Sequence, residues 1–246
     1  MLIGFDVSHW EGRIDWKTVS APFGFTKASE GTSFVDSELS NNWKGMKDNK
    51  IIRGTYHFLD AKTASAGTQE AKHYLATMKA IGGFKTGDFP PVLDFEAGAT
   101  SAGAIAFVKE LKKHNYKVIL YCSESVVPDG LFGADYLWVA RYGPSDPGLA
   151  HWEFWQSSDG NVGITPHTIT GIGNCDIDRF DGTITQLKKL TIKPVKKPKP
   201  EPEPMPPTPE PTPEPEPTPK LSLLERLRQA GRLTRYRKRH GGKPTK

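Results

Sequence analysis

The run IIRGTYHFLDAKTASAGTQEAKHYLATMKAIGGFKTGDFPPVLDFE, residues 51–96, decides the fold class. Its first piece, Ile51–Phe58, is short, β-branched and aromatic, and its last, Pro91–Phe95, is a brief apolar run; both read as strands. Between them Ser65 opens a helical segment, Ala66–Ile81, with Ala71, Tyr74, Leu75 and Met78 on one face. Strand, helix and strand in that order make a crossover unit, which sets the two strands parallel.

The alternation continues outward. Leu2–Val7, Gly24–Ala28, Lys117–Cys122, Tyr136–Ala140, Glu153–Gln156 and Cys175–Ile177 are further strand candidates. Asp36 opens a helix over Ser37–Asp48, and Thr100 opens one over Ser101–His114 with Ile105, Val108 and Leu111 on its face. The last strands are joined instead by Gly-, Pro- and Asp-rich loops, Gly143–Gly148 and Ser157–Gly173, that lack a helical period. The expectation is an α/β barrel, β/α in its first half and mostly β in its second, with the active site at the C-terminal ends of the strands.

Three segments differ in composition. Residues 1–190 carry 19 Lys+Arg and 22 Asp+Glu and form one domain. Residues 191–219 are a linker rich in Pro, Glu, Thr and Lys, with thirteen prolines between Pro194 and Pro219, which favours a semi-rigid extended spacer. Residues 220–246 hold ten Lys+Arg against one Glu, so the net charge of +5 belongs to this basic tail and no nucleic-acid partner is expected. Leu223, Leu224, Leu227 and Ala230 share one helical stripe in it, a pattern that can coat an anionic wall or membrane surface, although Gly231 interrupts it. Mean hydropathy of -0.52 and the lack of a long apolar run exclude a membrane-spanning chain. Met1 leads straight into Leu2-Ile3-Gly4-Phe5-Asp6 with no basic leader, so synthesis in a cytoplasm without a secretory signal is expected. The two cysteines, Cys122 and Cys175, sit in apolar contexts and read as buried thiols.

Carboxylates gather at the strand ends: Asp6, Glu30, Asp60, Asp94 with Glu96, Glu124, and Asp176 with Asp178. In Val92-Leu93-Asp94-Phe95-Glu96 the two acids are two apart, so on a strand they share a face and Phe95 takes the other. Repulsion between them should raise one pKa and leave a carboxylic acid able to protonate a leaving group, the pairing that glycoside hydrolysis uses. Trp10, Tyr56, His57, Tyr121, Trp138, Tyr142, Trp152 and Trp155 fall near the same rim, and aromatic faces beside carboxylates suit sugar rings. The competing reading is that many of these rings are core. His9, His57 and His167 form no metal-binding pattern, so neither metal nor cofactor is expected.

The chain resembles the family 25 glycoside hydrolases, the Chalaropsis-type lysozymes and phage endolysins. The resemblance is carried, over about residues 2–182, by eight blocks in order: Gly4-Phe5-Asp6-Val7-Ser8-His9-Trp10-Glu11-Gly12 with Ile14-Asp15-Trp16; Lys27-Ala28-Ser29-Glu30-Gly31; Gly54-Thr55-Tyr56-His57-Phe58; Pro91 through Glu96; Leu120-Tyr121-Cys122-Ser123; Leu137-Trp138-Val139-Ala140; Trp155-Gln156; and Cys175-Asp176-Ile177-Asp178-Arg179-Phe180. It implies a flattened, TIM-like (β/α)5(β)3 barrel and cleavage of the β-1,4 bond between N-acetylmuramic acid and N-acetylglucosamine in peptidoglycan. By that resemblance Glu96 is the general acid, Asp94 its partner, and Asp6 and Asp176 further cleft carboxylates. Tyr56, Tyr121, Trp138, Gln156, Glu30 and Asp178 are expected to contact substrate. Family members are thought to retain configuration through the substrate's own N-acetyl group, with an inverting, water-mediated route as the alternative.

The chain departs from the family where Asp178 stands in place of a frequent Asn, which leaves the role of that pair open, and where Ser29 and Cys122 replace frequent Thr. The expected protein is a monomeric phage endolysin, released through a membrane pore to reach the wall, or a related bacterial lysozyme. Two rivals remain: a wall-binding module without chemistry, and a chitin-directed glycosidase, although the D-x-x-D-x-D-x-E run of family 18 is absent before Asp94.

Overall fold

The computed structural model describes residues 1–96, 98–194, Ser222 and 225–228. The chain falls into two units, Met1–Val195 and Lys196–Lys246. In the first, eight strands close into a barrel: β1 (Leu2–Val7), β2 (Phe23–Glu30), then, past a two-residue edge strand β3 (Phe34–Val35), β4 (Ile52–Phe58), β5 (Val92–Asp94), β6 (Ile119–Ser123), β7 (Tyr136–Ala140), β8 (Phe154–Ser158) and, past the short ribbon β9 (Thr168–Ile169) and β10 (Gly173–Asn174), β11 (Asp176–Phe180). The order around the barrel is β1-β2-β4-β5-β6-β7-β8-β11, and β11 returns to pair with β1. Around the barrel all pairings from β1 through β8 are parallel, the edge strand β3 pairs antiparallel with β2, and β11 is antiparallel to both neighbours.

Three of the connections hold long helices: α1 (Leu39–Asp48), α2 (Ala64–Ala80) and α3 (Ser101–Lys112). The connections after β1 and β6 are only short 3-10 turns. Thr100 caps α3 as the sequence suggests, its side chain accepting from the Gly103 amide. On α2 the cap is Thr63, two residues before Ser65, because the Thr63 hydroxyl takes the orphan Ala66 amide. Asp36 lies outside α1 and instead accepts from the backbone of Glu38 and His9. α2 and α3 touch through glycines: a Cβ on Gly67 would lie 2.1 Å from the Gly103 carbonyl oxygen.

Strand parity divides the core. Phe23, Phe25, Val92, Ile119, Trp138 and Phe154 point into the barrel. Their neighbours Leu93, Leu120, Leu137, Val139 and Trp155 point outward, against Tyr74, Met78, Phe107 and Leu111 of the helices. Each fully buried large side chain contributes about 1.5–3 kcal/mol. Gly4 is required by this packing, since a Cβ there would sit 2.4 Å from the Phe23 ring. Continuing each inward row one step toward the C-terminal rim leads from Gly4, Gly54, Val92, Ile119 and Phe154 to the polar groups of Asp6, Tyr56, Asp94, Tyr121 and Gln156. The barrel is thus apolar in its body and polar at its mouth.

Both cysteines are free and buried, and burial pushes the Cys122 thiol up to about 12. In the second unit the Glu225–Arg228 turn is capped by Ser222, whose amide and hydroxyl donate to Glu225 Oε2 at 3.0 and 2.9 Å. Residues 195–221, most of the expected linker, and the Leu223, Leu224 and Ala230 positions of the tail stripe lie outside the described residues.

Candidate active site

Seven side chains, one from each of seven strands, and Glu96 from the loop just past β5 line a pit of about 70 Å³ at the barrel mouth: Asp6, Tyr56, Asp94, Tyr121, Trp138, Gln156 and Asp176 with Glu96; β5 ends at Asp94, so the two acids do not share a strand as the sequence suggests. A space of this size takes a few waters or a polar substituent of a sugar. Glu96 and Tyr121 are shared with a groove of about 710 Å³ that holds Ser123, Glu124, Arg141 and Tyr142. In the groove Arg141 Nη1 donates to Glu124 Oε1 at 2.7 Å.

β11 explains how residues distant in sequence meet here. Because it runs antiparallel, its first residue reaches the same rim that the parallel strands reach with their last, and Asp176 pairs in register with Asp6. Gln156 at the rim of β8 then ties both acids together. Its Nε2 donates to Asp6 Oδ2 at 2.7 Å and to Asp176 Oδ2 at 2.9 Å, while its Oε1 accepts from Tyr121 at 2.7 Å and from Tyr142 at 2.6 Å. Two donors and two acceptor lone pairs are all engaged, which fixes the amide's orientation.

Burial dominates the electrostatics. It raises the Asp94 carboxyl well above the usual range, Glu96 adds to this, and Lys27 opposes it. Glu96 is raised by burial and lowered by Lys27. The expectation that mutual repulsion drives the rise is therefore corrected: removal from water is the larger cause for Asp94 and the only raising cause for Glu96. Asp6 is raised by burial, then by Asp176 and Asp178. Asp176 reaches about 7, from burial and then from Glu11, Asp159 and Glu96. Asp94 Oδ1 is buried without a partner among the described residues. A buried carboxylate oxygen left so costs about 1–3 kcal/mol.

Eight of the ten expected site residues meet in the pit, and two do not. Asp178 is wholly buried behind Trp138, accepting from the indole Nε1 at 2.8 Å, so it cannot touch substrate. Glu30 is drawn away by Lys27 Nζ at 2.6 Å and lies outside the pit lining. Trp138 lines the pit as its floor rather than as a sugar platform: it is stacked on Phe25 at 4.4 Å and meets Tyr121 edge-on at 4.7 Å. His57, grouped with the rim aromatics on sequence, faces the outer layer. There its Nδ1 pairs with Ser29 Oγ at 2.9 Å and its Nε2 with Glu70 at 3.1 Å, and all three are buried away from any substrate. Trp155 is likewise core.

Sequence reasoning placed Tyr142 at the rim but did not assign Lys27, Glu11 and Arg141 to the site. Lys27 was findable, because it continues the inward row of Phe23 and Phe25. Among the described residues no three His, Cys, Asp or Glu side chains are grouped to hold a metal ion.

Residues 5–163 match the family described as Glycosyl hydrolases family 25. The chain is 35% identical over 207 residues to protein YegX of Escherichia coli K12, covering 75% of this chain and 71% of that one. It is 32% identical over 216 residues to Lysozyme M1 of Streptomyces globisporus, covering 76% and 70%. Among solved structures it resembles the bacterial lysozyme from Streptomyces coelicolor, with a TM-score of 0.65 and 28% identity over 77% of this chain and 96% of that one. It also resembles the CTP1L endolysin, with a TM-score of 0.62 and 25% identity over 77% and 70%.

Proposed function

The chain belongs to glycosyl hydrolase family 25 and is a peptidoglycan-hydrolysing glycosidase; on that premise we propose that it is an N-acetylmuramidase, cutting the β-1,4 bond on the reducing side of N-acetylmuramic acid, and that it serves a phage as an endolysin. The observation that carries the reaction is the pairing of Glu96, open at the rim with its carboxyl raised by desolvation, with a buried Asp94 whose Oδ1 has no partner among the described residues. Glu96 lies between pit and groove and gives its proton to the glycosidic oxygen, so the leaving sugar departs as an alcohol. Asp94 Oδ1 accepts the acetamido N–H of the sugar whose substituent enters the pit, which orients that group against the developing oxocarbenium centre. Asp6 and Asp176, bridged by Gln156, close the far wall and hold water and substrate hydroxyls in place.

Likeness to the CTP1L endolysin supports the lytic role, with action on the wall after release from the cytoplasm. The basic tail acts as an electrostatic anchor to an anionic envelope.

Purified peptidoglycan digested with the wild-type protein and with Glu96→Gln, then reduced and analysed by mass spectrometry, tests the reaction. New N-acetylmuramic acid reducing ends from the wild type alone are expected. New N-acetylglucosamine ends, or none, would overturn the muramidase reading, and release from chitin instead would make the protein a chitin-directed enzyme.

A further inference from the structure

Trp10 is the most exposed large apolar side chain on the described surface, at 83%. The turn that presents it is nevertheless tightly fixed. Ser8 and Glu11 form a reciprocal cap: Ser8 Oγ accepts from the Trp10 amide at 3.2 Å, and Glu11 Oε2 accepts from the Ser8 amide at 2.7 Å. Asp36, its side chain fully buried, accepts from the His9 amide at 3.0 Å and pairs with His9 Nδ1 at 2.8 Å. The His9 ring lies 4.7 Å from the indole and 5.8 Å from Phe34, and both Phe34 and Val35 are exposed. Four hydrogen bonds, two of them to the buried Asp36 carboxylate, thus fix the backbone of the turn and the His9 ring, against which the indole stands. Trp10, His9, Phe34 and Val35 together form a contiguous exposed patch on a fixed turn, and such a patch marks a binding surface.

The place of this patch in the barrel identifies its occupant. The turn continues β1 directly beyond Asp6, and Phe34 belongs to the hairpin after β2. The large groove is built from the segments following β5, β6 and β7. In an eight-stranded ring β1 stands opposite β6 and β2 opposite β7, so patch and groove flank the pit on opposite sides of the barrel mouth. Glu11, next to Trp10, adds to the rise of the Asp176 and Asp6 carboxyls, which places the turn beside the pit. A linear polymer laid along the groove and across the mouth of the pit continues over Trp10. A pyranose ring presents an apolar C–H face, which an indole matches while its neighbouring imidazole and backbone meet the hydroxyls.

We propose that Trp10, supported by His9 and Phe34, is a distal sugar subsite that grips the glycan strand beyond the residues flanking the scissile bond, giving the enzyme preference for long strands. This rests on the reading of the cleft as a glycan-strand hydrolase. The test is binding of peptide-free peptidoglycan strands of graded length, measured calorimetrically in the Glu96→Gln background so that no turnover intervenes. Adding Trp10→Ala should weaken affinity for long strands roughly tenfold, about 1.4 kcal/mol, and leave a single disaccharide's affinity unchanged. Trp10→Phe should restore most of the loss. The melting temperature should not move, because the indole is exposed. Equal affinities for long strands with and without Trp10 would overturn the proposal, as would a loss shared equally by disaccharide and long strand. Sedimentation showing that Trp10→Ala only abolishes self-association would overturn it too. Strand binding that depends on Trp10, with no hydrolysis by the wild type, would instead sink the enzymatic reading and leave this subsite standing.

Discussion

Replacing Asp176 with Asn should make the protein more stable at alkaline pH and no more stable in acid. In the folded state the Asp176 carboxyl titrates near 7, raised chiefly by burial and then by Glu11, Asp159 and Glu96. In the unfolded chain it titrates near the ordinary value of about 3.9. Between those values the folded state holds a proton that the unfolded state has released. Stability therefore falls as pH rises through this window and levels off above about 7. A shift of about three units corresponds to a ceiling of roughly 4 kcal/mol at about 1.36 kcal/mol per unit. Partial exposure of the group and screening by solvent reduce this to about 2 kcal/mol. Asn keeps an oxygen to accept from Gln156 Nε2, so the contact at 2.9 Å survives while the ionisation does not. Urea unfolding at pH 8 should show a gain of about 2 kcal/mol, or a melting temperature higher by roughly 4–8 °C. At pH 3.5 the two proteins should coincide. A variant no more stable than wild type at pH 8, or equally stabilised at both pH values, would refute the claim that the cleft stores a buried, ionisable carboxyl at the expense of stability.

Gln156→Glu should abolish most activity, because the oxygen replacing Nε2 would face Asp6 and Asp176 instead of donating to both; a fall in kcat of at least about 100-fold is expected in reducing-end assays. At Asp178 burial and then Asp176 raise the carboxyl well above its ordinary value, which favours the neutral form, so Asp178→Asn should be near neutral in thermal melts. Asp178→Leu should cost about 1–3 kcal/mol by orphaning Trp138 Nε1. Deleting residues 220–246 should weaken binding to cell envelopes, most at low ionic strength, while hydrolysis of soluble fragments is retained; cosedimentation with envelopes at two salt concentrations checks it.

Most strands were legible because their apolar runs are short and separated by clear turn signals, and β1, β4 and β7 begin and end within a residue of where the sequence places them. The helices were legible through apolar periodicity, with caps less so: Thr63 precedes the first turn of α2 and Ser65 lies within it, and only the folded geometry shows which hydroxyl meets an amide. The pit was legible as a set of strand-end acids, but acids alone do not reveal depth. Asp178 and Asp176 look equivalent in sequence, yet one is sealed behind Trp138 and the other opens to the cleft. Trp10 and Trp138 look like similar rim aromatics, yet one is 83% exposed and the other is buried on Phe25.

The sequence by itself determined the β/α order, the parallel first half, the acids at the strand ends and the charged tail, because these follow from local periodicity, residue type and chain neighbours. Only the tertiary structure decided that β11 runs antiparallel and closes on β1, bringing Asp176 opposite Asp6 across 170 positions of chain. It also decided that a single amide, Gln156, binds those two acids and two tyrosines. Barrel closure is a global condition on strand number and direction, and the loss of water that raises these carboxyls comes from side chains on every strand at once. Neither can be expressed by any one stretch of sequence.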